Sequence, residues 1–129
     1  MRVFLVEDSR ILAPHLIEMI EGIPGAIVVG HAVDARTAIE AIARLRAQVA
    51  IVDISLRAGN GFDVVKSFAR LDRAPVSIFL TNYVSAPVRA AATRLGVDHF
   101  FDKARDIDRL IVTLTELAAR PDMRNGSDG

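Results

Sequence analysis

The sequence contains no cysteine. Without cysteine the chain cannot form disulfides, zinc fingers or iron–sulfur clusters, and it cannot use a thiol nucleophile. It also lacks an excess of either charge, because its 16 basic residues balance its 16 acidic ones. Proteins that bind nucleic acid or anionic membranes need surplus Lys and Arg. The balance therefore argues against both classes and favours proteins or small ligands as partners.

Long apolar runs are missing as well. The apolar stretch in residues 1–6 ends at Glu7 and Asp8, so it is too short for a signal peptide, which needs an apolar region of roughly 7–15 residues. No run approaches the roughly 20 residues of a membrane span. We therefore expect a cytoplasmic protein that does not bind membranes.

The chain has enough material for one hydrophobic core. It has 129 residues, of which 51% are hydrophobic. A second domain has no room, because domains generally need at least about 50 residues. Residues 120–129 lack periodicity and contain Met123 as their one apolar residue, so they are predicted to be a disordered tail. The predicted domain covers residues 1–119.

Short apolar runs alternate five times with helical periodicity. Because the runs are almost entirely apolar, they are typical of parallel strands that are covered on both faces. Between them, apolar residues recur at spacings of three and four, as in amphipathic helices. The pattern predicts an α/β fold with a doubly wound, five-stranded parallel sheet. The predicted strands cover residues 2–6, 26–31, 49–53, 76–80 and 99–101.

Polar residues and glycines lie at the expected ends of these elements. Residues 59–61, Gly-Asn-Gly, predict a turn into a helix. Five side chains are predicted to cap helix starts by accepting hydrogen bonds from free backbone N–H groups: Ser9, Asp34, Asn60, Ser85 and Asp106. Three histidines lack metal-ligand spacing, so we expect structural or solvated roles for His15, His31 and His99.

Side chains that can do chemistry follow four of the predicted strands. Ligands of open parallel sheets bind outside the carboxyl ends of the strands. If these strands are neighbours about 4.8 Å apart, three carboxylates, a hydroxyl and an ammonium converge there. Two carboxylates about 5–6 Å apart repel by roughly 3 kcal/mol at an effective dielectric near 20. A hard cation such as Mg²⁺ is the natural neutralising group. The residues are Glu7, Asp8, Asp53, Thr81 and Lys103.

Each of these residues also has an ordinary interpretation. Glu7 and Asp8 could stabilise the N-terminus of the first helix through its dipole. Asp53 and Thr81 could be caps, and Lys103 could be a solvated surface lysine. Their coincidence at one predicted edge, rather than any single residue, indicates a functional site.

A longer ordered set of residues carries a resemblance to a known family. In chain order the set is Glu7, Asp8, Asp53, Ser55, Gly61, Thr81, Gly96, Phe100 and Lys103. It resembles the response regulator receiver domain of two-component signalling, and the resemblance covers residues 2–119. It implies a flavodoxin-like receiver fold with the strand order 2-1-3-4-5. It also implies a stand-alone, single-domain regulator.

The resemblance implies phosphoryl chemistry at Asp53. This residue would accept a phosphoryl group from the phosphohistidine of a sensor histidine kinase or a histidine phosphotransfer protein. Glu7 and Asp8 would position Mg²⁺, with help from Asp53 and from the backbone carbonyl of Ser55. A carboxylate can act as the nucleophile in such a transfer, which depends chiefly on positioning and charge neutralisation.

The resemblance also implies a switch. Thr81 and Lys103 would contact the phosphoryl oxygens, and a hydroxyl such as that of Thr81 can donate a hydrogen bond to an oxyanion. Phe100 would be the aromatic ring whose position changes. The surface formed by residues 85–119 would then pass the signal to an output protein that the sequence does not identify.

Four residues depart from the family's usual pattern. Arg57 and Ala104 stand where proline is common, and Asn82 and Tyr83 follow Thr81. The proline after the lysine is often cis, whereas a cis bond before another residue costs about 2.5–4 kcal/mol. We therefore expect Ala104 to change the loop at Lys103. The bulky Tyr83, opposite Ser55, is expected to change the access of water and phosphodonor.

Two other functions use similar residues. A phosphate-independent receiver would serve as an adaptor, although the complete set of acidic residues, Thr81 and Lys103 argues against it. An aspartate-dependent phosphatase for small molecules would share the carboxylate and Mg²⁺. The chain lacks the Asp-x-Asp pair and cap insertion expected of such an enzyme. We therefore expect a phosphoacceptor that assists its own phosphorylation and dephosphorylation, not an enzyme with a separate substrate.

Overall fold

Strands and helices alternate along the computed structural model, which describes residues 1–124. The strands are β1 (Arg2–Val6), β2 (Ile27–Ala32), β3 (Val49–Val52), β4 (Val76–Thr81) and β5 (His99–Asp102). The helices are α1 (Leu12–Glu21), α2 (Ala35–Leu45), α3 (Gly61–Lys66), α4 (Ala86–Leu95), α5 (Ile107–Ala118) and α6 (Pro121–Arg124). A short 3₁₀ turn over Ser67–Arg70 follows α3.

All five strands are parallel and form one sheet in the order β2-β1-β3-β4-β5. The predicted α/β class, doubly wound sheet and strand order are confirmed. Strand bounds agree with the prediction to within one residue at each end. Because β1, β3, β4 and β5 run side by side, their carboxyl ends share one edge of the sheet. That edge carries the candidate site.

Apolar clusters cover both faces of the sheet. One cluster packs α1 and α5 against it and includes Leu16 and Leu110. The other packs α2, α3 and α4 and includes Ile42 and Val64. Burying one side chain of this size contributes roughly 1.5–3 kcal/mol, so the two clusters fix the strand ends in place. Within residues 1–124, no helix is long and apolar enough to cross a membrane.

Helix α4 is held by less apolar bulk than its neighbours. Ala92 is its one buried residue, whereas α5 buries four residues. Segments with few buried apolar contacts open at low free energy. The output surface that the resemblance implies therefore contains a lightly anchored helix.

Four of the five predicted caps accept a backbone N–H from the first turn of their helix: Ser9, Asp34, Asn60 and Ser85. The prediction for Asp106 is wrong. Its Oδ2 accepts the backbone N–H of Asp102 at 2.9 Å instead. The side chain closes the loop between β5 and α5 and makes no cap hydrogen bond to the helix.

The predicted disorder after residue 119 is wrong for residues 121–124. They form α6, and Met123 is only 6% exposed because it packs into the cluster beneath α1 and α5. Pro121 suits a first helical position, since its fixed φ matches the helix. A single apolar residue in a polar segment produces no periodic pattern, although its side chain can still be buried in the core. Residues 125–129 of the predicted tail lie outside the described residues.

Candidate functional site

Five predicted site residues meet at the carboxyl edge of the sheet. The side chains of Glu7, Asp53 and Lys103 are in direct contact. Carboxylate oxygens of Glu7, Asp8 and Asp53 lie within 4.8 Å of one another. The carbonyl of Thr81 accepts the backbone N–H of Lys103 at 2.9 Å. Parallel pairing of four strands thus unites residues that are far apart in sequence.

Two of the three carboxylates are buried. Glu7 is 1% exposed and Asp53 is 6% exposed, whereas Asp8 is half-buried. Glu7 Oε2 accepts the backbone N–H of Ser9 at 2.9 Å, and Asp53 Oδ1 accepts that of Ser55 at 3.3 Å. Charges that are withdrawn from water need such hydrogen bonds and an opposite charge.

Lys103 supplies the opposite charge. Its Nζ lies 2.5 Å from Asp53 Oδ2 and 2.8 Å from Glu7 Oε1. Burial by itself lowers the pKa of the Lys103 ammonium, but hydrogen bonds and Coulomb attraction from Asp53 and Glu7 outweigh it, so that pKa is raised above its ordinary value. Lys103 is therefore a cation at neutral pH, held between two anions.

The donor set fits Mg²⁺. Three carboxylates and one ammonium leave two negative charges at the site when all four are ionised. Mg²⁺ is divalent, prefers hard oxygen ligands and commonly binds through one or two carboxylates in phosphoryl-transfer sites. Glu7, Asp8 and Asp53 offer such oxygens. The participation of the Ser55 carbonyl stays a prediction.

Gly61 has a steric reason to be glycine. A Cβ on this residue would lie 2.5 Å from the backbone oxygen of Asp53 and 3.0 Å from Cα of Ile54. The Gly61 N–H donates to the Ile54 carbonyl at 2.9 Å. The start of α3 therefore lies directly against the loop that carries Asp53, at a distance that no larger residue permits.

Thr81 is fully buried at the end of β4. Its Oγ1 accepts the backbone N–H of Tyr83 at 3.1 Å. A hydroxyl can accept one hydrogen bond and still donate another. The contact with Tyr83 therefore leaves the hydroxyl hydrogen of Thr81 free to donate to an anion. Tyr83 itself is 55% exposed.

Phe100 lies on the same face of the sheet as Thr81. It pairs in register with Phe79, which precedes Thr81 by two residues, and side chains two apart on a strand share a face. The rings of Phe100 and Phe79 meet edge to face, with centroids 6.2 Å apart. Phe100 is half-buried, and the guanidinium of Arg89 lies over its outer side, 4.6 Å from the ring centroid. No pattern in the sequence indicates this contact.

Both missing prolines correspond to backbone donors that the structure uses. The N–H of Ala104 donates to Asp102 Oδ1 at 2.8 Å, and the N–H of Arg57 donates to the Val33 carbonyl at 3.1 Å. Proline has no N–H and could make neither bond. The Ala104 N–H thus closes a turn with Asp102 in the loop that brings Lys103 to Asp53. The expected effect of Ala104 on this loop stays a prediction.

Sequence reasoning does not assign His31 to the site. His31 lies on β2 next to β1, and its Nε2 is 2.6 Å from the backbone oxygen of Glu7. Because that oxygen accepts, Nε2 carries the hydrogen. The role is structural, as expected for this histidine. Its position near the carboxyl end of β2 was the available signal, since every parallel strand ends at the same edge.

Comparison with known proteins agrees with this geometry. Residues 3–115 match the family model of the response regulator receiver domain. A protein-glutamate methylesterase/protein-glutamine glutaminase of Saccharophagus degradans is 33% identical over 105 residues, which are 81% of this chain and 30% of that protein. The uncharacterised transcriptional regulatory protein YvfU of Bacillus subtilis is 27% identical over 109 residues, 84% of this chain and 54% of that protein. The chain thus spans about a third to a half of these relatives.

Solved structures show the same fold. The signal receiver domain of a putative Luxo repressor protein from Vibrio parahaemolyticus is 27% identical, with a TM-score of 0.83 over 99% of this chain and 97% of that one. The response regulator domain of Thermotoga maritima CheB is 25% identical, with a TM-score of 0.78 over 92% of each chain. The likeness covers the whole sheet and the helices around it.

Proposed function

The chain belongs to the response regulator receiver domain family, and from that premise we propose that Asp53 accepts a phosphoryl group from a phosphohistidine. The donor is a sensor histidine kinase or a histidine phosphotransfer protein. One observation carries the proposal: Asp53 is buried, yet it is held in contact with Lys103 beside two further carboxylates. A nucleophile, a fixed cation and a candidate Mg²⁺ site therefore occupy one edge of the sheet.

The transfer follows from the chemistry of these groups. A carboxylate oxygen of Asp53 attacks phosphorus, the bond between phosphorus and the donor imidazole nitrogen breaks, and an acyl phosphate forms on Asp53. The Lys103 ammonium offsets charge on the phosphoryl oxygens, and the Thr81 hydroxyl donates to one of them. Glu7, Asp8 and Asp53, with the Ser55 carbonyl, would hold Mg²⁺, which would supply further charge neutralisation.

The same residues assist removal of the phosphoryl group by water. The group that is hydrolysed is the protein's own acyl phosphate, so the protein has no separate substrate. The rate of this step depends on how readily water reaches Asp53. Tyr83 is exposed next to the buried Thr81, and Ser55 is exposed two residues past Asp53. We propose that these two side chains set the lifetime of the acyl phosphate by controlling the approach of water.

The phosphorylated site acts on the surface formed by residues 85–119. Thr81 moves towards the new oxyanion, and the Phe100 ring turns into the space that Thr81 vacates. The helix α4 follows, because Ala92 is its one buried residue and the other apolar side chains that pack on the core are only partly buried. An output protein then binds the altered surface. We propose a cytoplasmic location and a protein partner, with neither nucleic acid nor membrane bound by this domain.

A small acyl-phosphate donor with Mg²⁺ tests the proposal. The wild-type protein should gain one phosphoryl group by intact mass spectrometry, and Asp53→Asn should gain none. Asp72→Asn is the matched control, because Asp72 is an exposed carboxylate at the opposite edge of the sheet, near the first residues of β1 and β4, Arg2 and Val76. Equal labelling of wild type and Asp53→Asn would contradict the assignment. An unlabelled wild type would favour the adaptor function, and sustained turnover of a phosphate monoester would favour a phosphatase.

A further inference from the structure

Arg89 of α4 makes a specific contact with the ring of Phe100. Its guanidinium carbon lies 4.6 Å from the ring centroid, which is within the range of a cation–π interaction. Its Nε also donates to the backbone carbonyl of Val84 at 3.3 Å. One hydrogen bond thus links the guanidinium to the loop before α4 while it lies over the Phe100 ring. This arrangement joins α4 to the aromatic residue of the switch.

Phe100 is held on two sides. Its edge-to-face contact with Phe79 lies towards the core, and Arg89 covers it from α4. Phe79 is fully buried and packs against Phe62 as well, so its own position is fixed. The Phe79 contact anchors the ring on the core side, whereas the contact on the other side comes from the exposed side chain of Arg89. The Arg89 contact is therefore the one that can be lost without disturbing the core.

We propose that Arg89 is a positioning residue that holds Phe100 in its unphosphorylated position, and so sets how readily phosphorylation of Asp53 moves the switch. The inference rests on the proposed function and names a regulator of it. An interaction that is made in one of two states raises the population of that state by its differential free energy. Turning of the Phe100 ring towards Thr81 removes it from beneath the guanidinium. The contact with Arg89 therefore opposes the change that the phosphoryl group favours.

Arg94 provides the matched comparison. It is also exposed on α4, carries the same charge and lies in the last turn of the helix. Within residues 1–124 there is one cation–π contact, that of Arg89 with Phe100, and Arg94 takes no part in it. Arg89→Met and Arg94→Met each remove one positive charge from α4. Arg89→Met also removes the contact with the ring, while its unbranched side chain retains apolar bulk.

The experiment measures the χ1 populations of Phe100 by NMR in the unphosphorylated full chain. We expect Arg89→Met to raise the minor rotamer roughly twofold to fivefold, the range for one partly exposed cation–π contact. Arg89→Lys should fall between wild type and Arg89→Met, because it keeps the cation but loses the planar guanidinium and the bond to Val84. Arg94→Met should match wild type. Unchanged χ1 populations in Arg89→Met would overturn the proposal.

A second readout tests the contact itself. Protons on Cδ and Nε of Arg89 should be shifted upfield by the ring current of Phe100, and this shift should vanish in Phe100→Leu. Shifts equal to those of Arg94 would overturn the proposal. Addition of beryllofluoride, a phosphoryl mimic, then tests the proposed function separately from the role of Arg89. Unchanged χ1 populations of wild-type Phe100 on addition of the mimic would contradict the proposed function. The comparison of χ1 populations among the variants tests the role of Arg89 in the absence of the mimic.

Discussion

Lys103 Nζ lies 2.5 Å from Oδ2 of Asp53, although 50 positions separate the two residues in sequence. The same ammonium lies 2.8 Å from Glu7, so one cation contacts two buried carboxylates that follow different strands. Loss of one partner from a buried ion pair commonly costs about 3–5 kcal/mol, because the other charge is left uncompensated. The contact therefore holds the acceptor carboxylate in position and keeps a positive charge beside it.

Replacement of Asp8 by asparagine should weaken Mg²⁺ binding. The variant removes one negative charge from a set of three carboxylates while leaving Asp53 and its contact with Lys103 in place. We expect affinity to fall about tenfold or more, since loss of even an indirect neighbour of a metal ligand commonly costs that much. A Mg²⁺ titration followed by amide NMR measures it, with Asp72→Asn as the control. Equal affinity in wild type and Asp8→Asn would show that the cation binds elsewhere.

Replacement of Thr81 by alanine should separate phosphorylation from switching. The nucleophile, the cation and the metal-binding carboxylates all remain, so the variant should still be labelled. The hydroxyl that donates to the phosphoryl oxygen is lost, so the shift in population should be lost with it. Backbone NMR of residues 84–92 and Phe100, with and without beryllofluoride, measures this. Thr81→Ser should retain the response, and a full response in Thr81→Ala would refute the coupling.

Replacement of Gly61 by alanine should destabilise the loop at Asp53. The new Cβ would meet the Asp53 backbone oxygen at 2.5 Å, and neither backbone segment can move freely. Overpacking of this kind typically costs about 1–3 kcal/mol in the free energy of unfolding. Urea denaturation measures it. Gly22→Ala is the control, because its Cβ finds no atom nearer than 3.4 Å and its φ is negative. Equal stabilities of the two variants would contradict the steric argument.

Asp34 should stabilise α2 in a pH-dependent manner. Its pKa is lowered chiefly by the hydrogen bond from the Thr37 backbone N–H, and further by the Thr37 hydroxyl. A folded-state pKa below the ordinary value of 3.8 means that the stabilisation is present above that pH. It is lost as the pH falls through the folded-state pKa.

The free energy of unfolding of wild type and Asp34→Ala, measured in urea at pH 7 and at several pH values below 4, checks this sign. The wild-type advantage should be largest at pH 7 and should shrink with acidification. Asp34→Asn keeps an acceptor for the helix N-terminus but not the titrating charge, so its stability relative to Asp34→Ala should vary little over this range. An advantage of wild type that grows towards low pH would contradict the assigned cause.

Much of the fold and most of the site could be predicted from the sequence. The alternation of apolar runs and helical periodicity is a local signal, and it located each strand to within one residue at each end. The rule that parallel strands end at one edge then brought Asp53 and Lys103 together. The strand order came from the family resemblance, because periodicity alone does not say which strands are neighbours.

The remaining features depend on contacts between distant elements. The absence of proline at position 57 is visible in the sequence, but the use of the Arg57 N–H depends on where Val33 lies. The contact of Arg89 with Phe100 likewise needs the packing of α4 on β5. Met123 was missed because burial of a single side chain has no period to detect. Tertiary geometry determines all three.

The most direct test of the central claim is to locate the phosphoryl group. After treatment with a small acyl-phosphate donor and Mg²⁺, borohydride reduction converts an aspartyl phosphate to homoserine at the modified position. Peptide mass spectrometry then identifies that position. The account predicts homoserine at position 53 and nowhere else in the wild-type chain, and none at that position when the donor is omitted. Homoserine at another aspartate, or a phosphoryl group on a hydroxyl side chain with position 53 unchanged, would contradict it.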